Sequence, residues 1–140
     1  VVYEKNPVLT ITKEVKGKWD EFGTPVFLFQ ITGTDYNGIS RTYYEALEIP
    51  EQFKEDGVYR KSFIMQIPAG IWTVREIPVS RYRMTGIKEV ENGSIEGSTV
   101  RLDTKDHDTA KATFCNELVN YGDFSHNDLE INVFGKQVGR

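Results

Sequence analysis

Alternation of apolar and polar residues recurs along most of the chain. In "LTITKEV", Leu9, Ile11, Lys13 and Val15 share one parity, and Thr10, Thr12, Glu14 and Lys16 take the other. Successive strand side chains point to opposite faces, so this is the pattern of a half-buried β-strand. "PVFLFQITG" repeats it with Phe27, Phe29 and Ile31 inward, and "DYNG" at Asp35 to Gly38 marks a turn, because Asn-Gly accommodates positive φ. A third strand is expected near "SRTYYEAL". The polar, proline-broken "IPEQFKEDG" has room for a short helical turn, after which "VYRKSFIMQ" directs Phe63, Met65 and then Ile67 inward until Pro68-Ala69-Gly70 stops the strand. "IWTVREI" resumes with Trp72, Val74 and Glu76 on one face. A hairpin turn at Asn92-Gly93 is expected between "YRMTGIKEV" and "STVRL", followed by a charged loop, "DTKDHDT". "KATFCNELV" sets Ala112, Phe114, Asn116 and Leu118 on one face, "NYGDFSHND" reads as loop and "LEINVF" as a short final strand. No segment sustains a helical period. With many β-branched and aromatic residues between recurring turn signals, the pattern predicts an all-β antiparallel sandwich of about seven strands.

Composition narrows the function classes. A chain of 140 residues suits one domain with a real core. The net charge of -4, with both signs interspersed, provides no basic stripe to track a phosphate backbone, so nucleic acid is not an expected partner. No apolar run is long enough to cross a bilayer, and "VVYEKNPV" lacks the basic start and apolar core of a signal peptide, so no membrane insertion is expected in this segment. Cys115 is the only cysteine. It allows no internal disulfide and no cysteine-based zinc site, so any covalent staple must use other chemistry.

Three polar residues continue apolar series: Lys13, Glu76 and Asn116. Each has a plain explanation. A lysine near a strand end can lay its stem on apolar surface and reach water, a glutamate can close a strand, and an asparagine can bond to backbone. Together, an amine, a carboxyl and a carboxamide can satisfy one another in one core, as buried polar groups require. They can also react. Desolvation favours the neutral amine and the protonated acid, and the amine is then a nucleophile. A carboxylic acid on the Asn116 carbonyl would polarise it, stabilise the developing oxyanion and shuttle protons to departing ammonia. Proximity in a folded core supplies the effective concentration an unactivated carboxamide needs. The product would be an amide joining Lys13 to Asn116, with Glu76 as proton shuttle.

"LTITKEV", "FIMQIPAGIWTVRE" and "ATFCN", in that order and spacing, resemble the collagen-adhesin B-type (Cna-B) domains of Gram-positive surface proteins and pilins. The matching positions are Lys13, "IPAG" at Ile67 to Gly70, Trp72-x-Val74-x-Glu76 and Phe114-x-Asn116. The resemblance implies an immunoglobulin-like sandwich with its first and last strands side by side, over residues 8–119. Residues 1–7 would be a linker or N-terminal extension, and 120–140 a C-terminal extension with a possible added strand. It also implies an autocatalytic Lys13–Asn116 isopeptide bond, no cofactor, no metal and no turnover of an external substrate. The expected setting is the bacterial cell surface or cell wall, as a structural or adhesive module. Its partners would be neighbouring domains or pilus subunits, with a host matrix protein or glycan as a further candidate. Trp72 stands where the family usually has tyrosine, and Cys115 is unusual in proteins of that compartment. The parity of Cys115 is opposite to that of Asn116, which predicts a place outside the inner core. No wall-sorting motif with an apolar tail occurs here, so attachment to the wall is expected to come from sequence not shown.

Other candidates are weaker. His107, between Asp106 and Asp108, lacks calcium-loop spacing and reads as a solvated turn. His126 has no evident catalytic companions. There is no Gly-x-Ser-x-Gly, P-loop or dinucleotide fingerprint, which leaves a hydrolase or nucleotide enzyme without a motif. Trp19, Tyr36, Tyr43, Tyr44 and Tyr82 could form a stacking face for sugar or protein, the basis of an alternative reading as a ligand-binding module without a cross-link. Asn92-Gly93-Ser94 fits a glycosylation acceptor and is read instead as a turn.

Overall fold

The computed structural model describes residues 6–17, 25–49, 54–55, 58–79 and 82–119. Within them the chain forms ten strands: β1 (Val8–Lys16), β2 (Val26–Asp35), β3 (Ser40–Glu48), β4 (Lys54–Glu55), β5 (Val58–Gln66), β6 (Gly70–Glu76), β7 (Tyr82–Glu91), β8 (Gly93–Glu96), β9 (Thr99–Asp103) and β10 (Thr109–Leu118). They make two five-stranded sheets, ordered β4-β5-β1-β10-β7 and β3-β2-β6-β9-β8. The architecture is an immunoglobulin-like β-sandwich with no helix among the described residues. The predicted Trp19, His126 and "LEINVF" features lie outside those residues.

Parity places the core. Leu9, Ile11 and Val15 from β1 meet Phe27, Phe29 and Ile31 from β2, Trp72 and Val74 from β6, and Ala110, Ala112 and Phe114 from β10, all buried. The outward positions of β1 are only partly covered, as alternation requires. Leu118, at the end of β10, is half-buried rather than core, and Phe63 and Met65 are likewise partly buried. β5 is flanked on its outer side only by the two-residue β4, so its inward side chains lie near the rim.

First and last strands run side by side and parallel, with Lys13 opposite Phe114 and Val15 opposite Asn116. The "IPAG" segment carries the chain from one sheet to the other. Ile67 N–H donates to Pro7 O at 3.0 Å, and Gly70 exchanges backbone and side-chain hydrogen bonds with Thr104. Gly70 is required there by a close backbone approach: a Cβ would stand 2.3 Å from Thr34 O and 2.9 Å from Asp35 Cα. Gly70→Ala is therefore expected to destabilise the fold by about 1–3 kcal/mol, measured by denaturant unfolding.

The two Asn-Gly signals have different outcomes. At Asp35 to Gly38 the chain turns as expected, with Gly38 at φ 81 and the Asp35 carboxylate accepting the Asn37 and Ile39 N–H groups. At Asn92-Gly93 the hairpin expectation is corrected. Here the chain leaves β7 in one sheet and enters β8 in the other, with Asn92 at φ 59 and its Nδ2 donating to Thr109 O. The hairpin lies a few residues on, where Glu96 pairs with Thr99 across Gly97-Ser98. Asn-Gly signals positive φ, which a crossover between sheets can need as much as a hairpin does. In the proline-broken segment, Lys54–Glu55 is a short strand rather than part of a helical turn, and its other residues 50–53 and 56–57 lie outside the described set.

Candidate functional site

Lys13, Glu76 and Asn116 come together between the sheets. Lys13 lies centrally in β1 and Asn116 in the adjacent β10, so one sheet carries both nitrogen-bearing groups. Glu76 ends β6 in the opposite sheet, across from Phe29. All three are buried, with Lys13 at 0%, Glu76 at 5% and Asn116 at 4% exposure. Water is thereby excluded from three groups that would otherwise be solvated.

Lys13 Nζ donates to Glu76 Oε1 at 2.6 Å and also to Asn116 Oδ1. Asn116 Nδ2 donates to Glu76 Oε2 at 2.7 Å. Each carboxylate oxygen thus serves a different nitrogen. The expected contact of the acid with the Asn116 carbonyl is not the one found: Glu76 sits on the amide nitrogen, and Lys13 takes the carbonyl oxygen. The carboxyl group bridges the amine to the nitrogen that would depart in an acyl transfer, the geometry a proton relay needs.

Burial is the main influence on the amine. It pulls Lys13 down from 10.5 to about 8, against the upward pull of the Glu76 charge and hydrogen bond. About a tenth of the amine is then neutral at pH 7, against well under a thousandth for an ordinary lysine, and that neutral form is the nucleophile. The core beside Lys13 is rich in aromatic rings. The Phe27 ring centroid is 4.5 Å from Nζ, and Phe29 packs against Phe114 at 5.3 Å and Phe63 at 5.6 Å.

Two features escaped the sequence reading. Phe27 is recognisable there as a core residue, but parity cannot show that its ring faces the amine. The other is an irregularity in the β10–β7 ladder: Cys115 pairs with Gly86 and Asn116 with Met84, which leaves Thr85 extra on β7 beside Asn116. Such bulges re-aim neighbouring side chains. Gly86 within "MTGIK" is the only sequence signal for it.

Cys115 is half-buried on the outer face, where its thiol donates to Glu14 at 3.3 Å and burial pushes it up to about 11. It is a poor nucleophile there. Glu14 also pairs with Arg60 at 2.8 Å and Lys88 at 2.7 Å, and these contacts hold its carboxyl below the usual range despite partial burial. Around His107, the described residues bring no three metal-ligating side chains together. The tyrosine set divides. Tyr36 and Tyr44 are exposed, whereas Tyr43 packs on Trp72 at 5.8 Å and Tyr82 on Phe27 at 5.4 Å. Trp72 is itself anchored by hydrogen bonds from Nε1 to Pro68 O and Thr104 Oγ1, both 3.1 Å.

Comparison with solved structures finds similar folds in bacterial surface proteins. The pilus-presented adhesin Spy0125 (Cpa), in a cysteine-to-alanine mutant form, matches 82% of this chain and 28% of its own at 21% identity and a TM-score of 0.47. An adhesin from Mobiluncus mulieris containing intramolecular disulfide, isopeptide and ester bond cross-links matches 83% of this chain and 42% of its own, at 14% identity and a TM-score of 0.43. The major pilin from Streptococcus pyogenes matches 83% and 49%, at 18% identity and a TM-score of 0.41. The chain spans less than half the length of each. No family profile and no curated protein matches it. In the chain's own topology a lysine strand and an asparagine strand lie parallel in one sheet, and a glutamate faces them from the other, as the sequence resemblance to Cna-B domains implies.

Proposed function

We propose that the chain is a structural or adhesive module of a Gram-positive surface protein or pilin, covalently stapled by an isopeptide bond between Lys13 and Asn116. The observation that carries this reading is the closed contact of amine, carboxyl and carboxamide in a dry core. A triad kept only for stability would be a costly choice, since buried ionic groups are often outperformed by apolar packing of similar volume.

The step balances without any added reagent. Neutral Nζ attacks Asn116 Cγ, the Cγ–Nδ2 bond breaks, and one Nζ proton passes through Glu76 to Nδ2, which leaves as ammonia. The reaction happens once, so the chain is no turnover enzyme. Neighbouring domains or subunits of an extracellular assembly are the partners this reading calls for, and it requires no cofactor.

Intact-mass measurement tests it. Wild-type protein should weigh about 17 Da less than its composition, while Lys13→Ala, Glu76→Ala and Asn116→Ala should each show the full mass. A folded wild-type chain at full mass would leave the three residues as a hydrogen-bonded triad. Loss of ammonia in Glu76→Ala would remove Glu76 from the relay.

A further inference from the structure

Lys13 Nζ has three hydrogens when charged, and the structure offers three places for them. Two are Glu76 Oε1 and Asn116 Oδ1. The third is the face of Phe27, whose centroid lies 4.5 Å away. Phe27 is fully buried, and Tyr82 packs against its ring at 5.4 Å with the planes at 74°, which fixes the ring's orientation. An aromatic face carries negative charge density and attracts a cation, most strongly where water is excluded. An aliphatic side chain would fill the same volume without that attraction.

We propose that Phe27 is a positioning residue for the cross-linking step, its ring face holding the Lys13 ammonium between Glu76 and Asn116 until the amine loses its proton. This rests on the isopeptide reading above. The covalent step is unchanged: the same bond forms, the same bond breaks, and ammonia leaves. Phe27 acts on the amine beforehand, by placing Nζ and by favouring its charged form. Removing the ring should let the amine deprotonate at lower pH, so the rising limb of the rate against pH moves toward acid. Of the other ionisable groups on the strands around Lys13, Glu76 on β6, Tyr59 and Lys61 on β5 and Tyr82 on β7 share its inward side, whereas Arg60 on β5 and Lys111, Cys115 and Glu117 on β10 take the outward parity. Lys61 Nζ is engaged by Glu48 O at 2.9 Å, and Cys115 faces outward onto Glu14. Tyr82 packs on the Phe27 ring, so its surroundings change when the ring is removed, and a fluorinated ring at position 27 leaves that packing in place.

The test uses the full chain, assembled by chemical synthesis and kept in denaturant so that it has never folded, then refolded by dilution at pH values from about 5 to 9.5. The mass deficit is followed over time and folding is followed separately by fluorescence. Phe27→Leu removes the ring, and Phe27→Trp keeps an aromatic face. A third variant carrying trifluorophenylalanine at position 27 keeps the shape and weakens the charge on the face, which covers the case in which Phe27→Leu does not fold. The leucine and fluorinated variants should shift the limb by about 0.5–1 pH unit to acid, and Phe27→Trp should follow wild type. A limb unmoved in the fluorinated variant, or rates lowered equally at every pH, overturns the proposal and makes Phe27 a space-filler. A wild-type chain that refolds without losing ammonia overturns the cross-link itself, a result distinguishable from an unmoved limb.

Discussion

Stretched from its two ends in a single-molecule force experiment, the wild-type chain is expected to gain no length from the residues between Lys13 and Asn116. Lys13→Ala, in contrast, should release about 350 Å of additional contour, because a separation of 103 residues is freed at roughly 3.4 Å each. The reason is topological. Once joined, β1 and β10 transmit load through a covalent bond, and β2 to β9 hang on a closed loop that tension does not enter. Hydrogen bonds between β1 and β10 would otherwise have to carry the force alone. A wild-type trace showing the full extension would mean that the amine and the amide remain unjoined under the conditions used.

The second large effect concerns pH. In Asn116→Ala the bond cannot form and Lys13 stays an amine in a dry core, titrating near 8 when folded and near 10.5 when unfolded. Between those values the unfolded chain binds more protons, so stability rises with pH across that window. Below about 8 the penalty is fully present, on the order of 3 kcal/mol. Asn116→Ala should therefore unfold at higher denaturant concentration at pH 10.5 than at pH 7.5. The wild type should lack this Lys13-linked rise, because an amide nitrogen does not titrate. It should also be more stable by several kcal/mol at pH 7.5, since a closed loop of about 100 residues restricts the unfolded chain. A rise of similar size in both proteins would place its origin in groups other than Lys13.

Much of this architecture is legible in alternation. The parity of Leu9, Ile11, Lys13 and Val15, of Trp72, Val74 and Glu76, and of Ala112, Phe114 and Asn116 is the burial found. Strands expose their two faces with a strict period of two, so a polar residue in the apolar register announces itself. Relations between distant strands are less visible. At Asn92 the chain changes sheet with a positive φ, which Asn-Gly permits without saying where the chain goes next. The ring of Phe27 and the extra Thr85 on β7 are likewise set by tertiary packing. The same holds for the division of labour in the triad. Sequence identifies an acid near an amide, but which atom of Asn116 it meets depends on how one sheet is laid over the other.

The parallel pairing of β1 and β10 has a consequence for spacing. Were β1 and β10 antiparallel, the chain would enter and leave the sandwich at the same pole, and successive modules would branch from a common point. With β1 and β10 parallel over Val8–Lys16 and Thr109–Glu117, the chain enters the sandwich at one pole and leaves it at the other. In a tandem array each such unit would contribute at least about 30 Å along the axis, the length of the nine-residue β1, however much sequence is folded within it. Insertions in the loops would thicken such a module without changing its pitch, so the reach of a tandem array would be set by the number of its units.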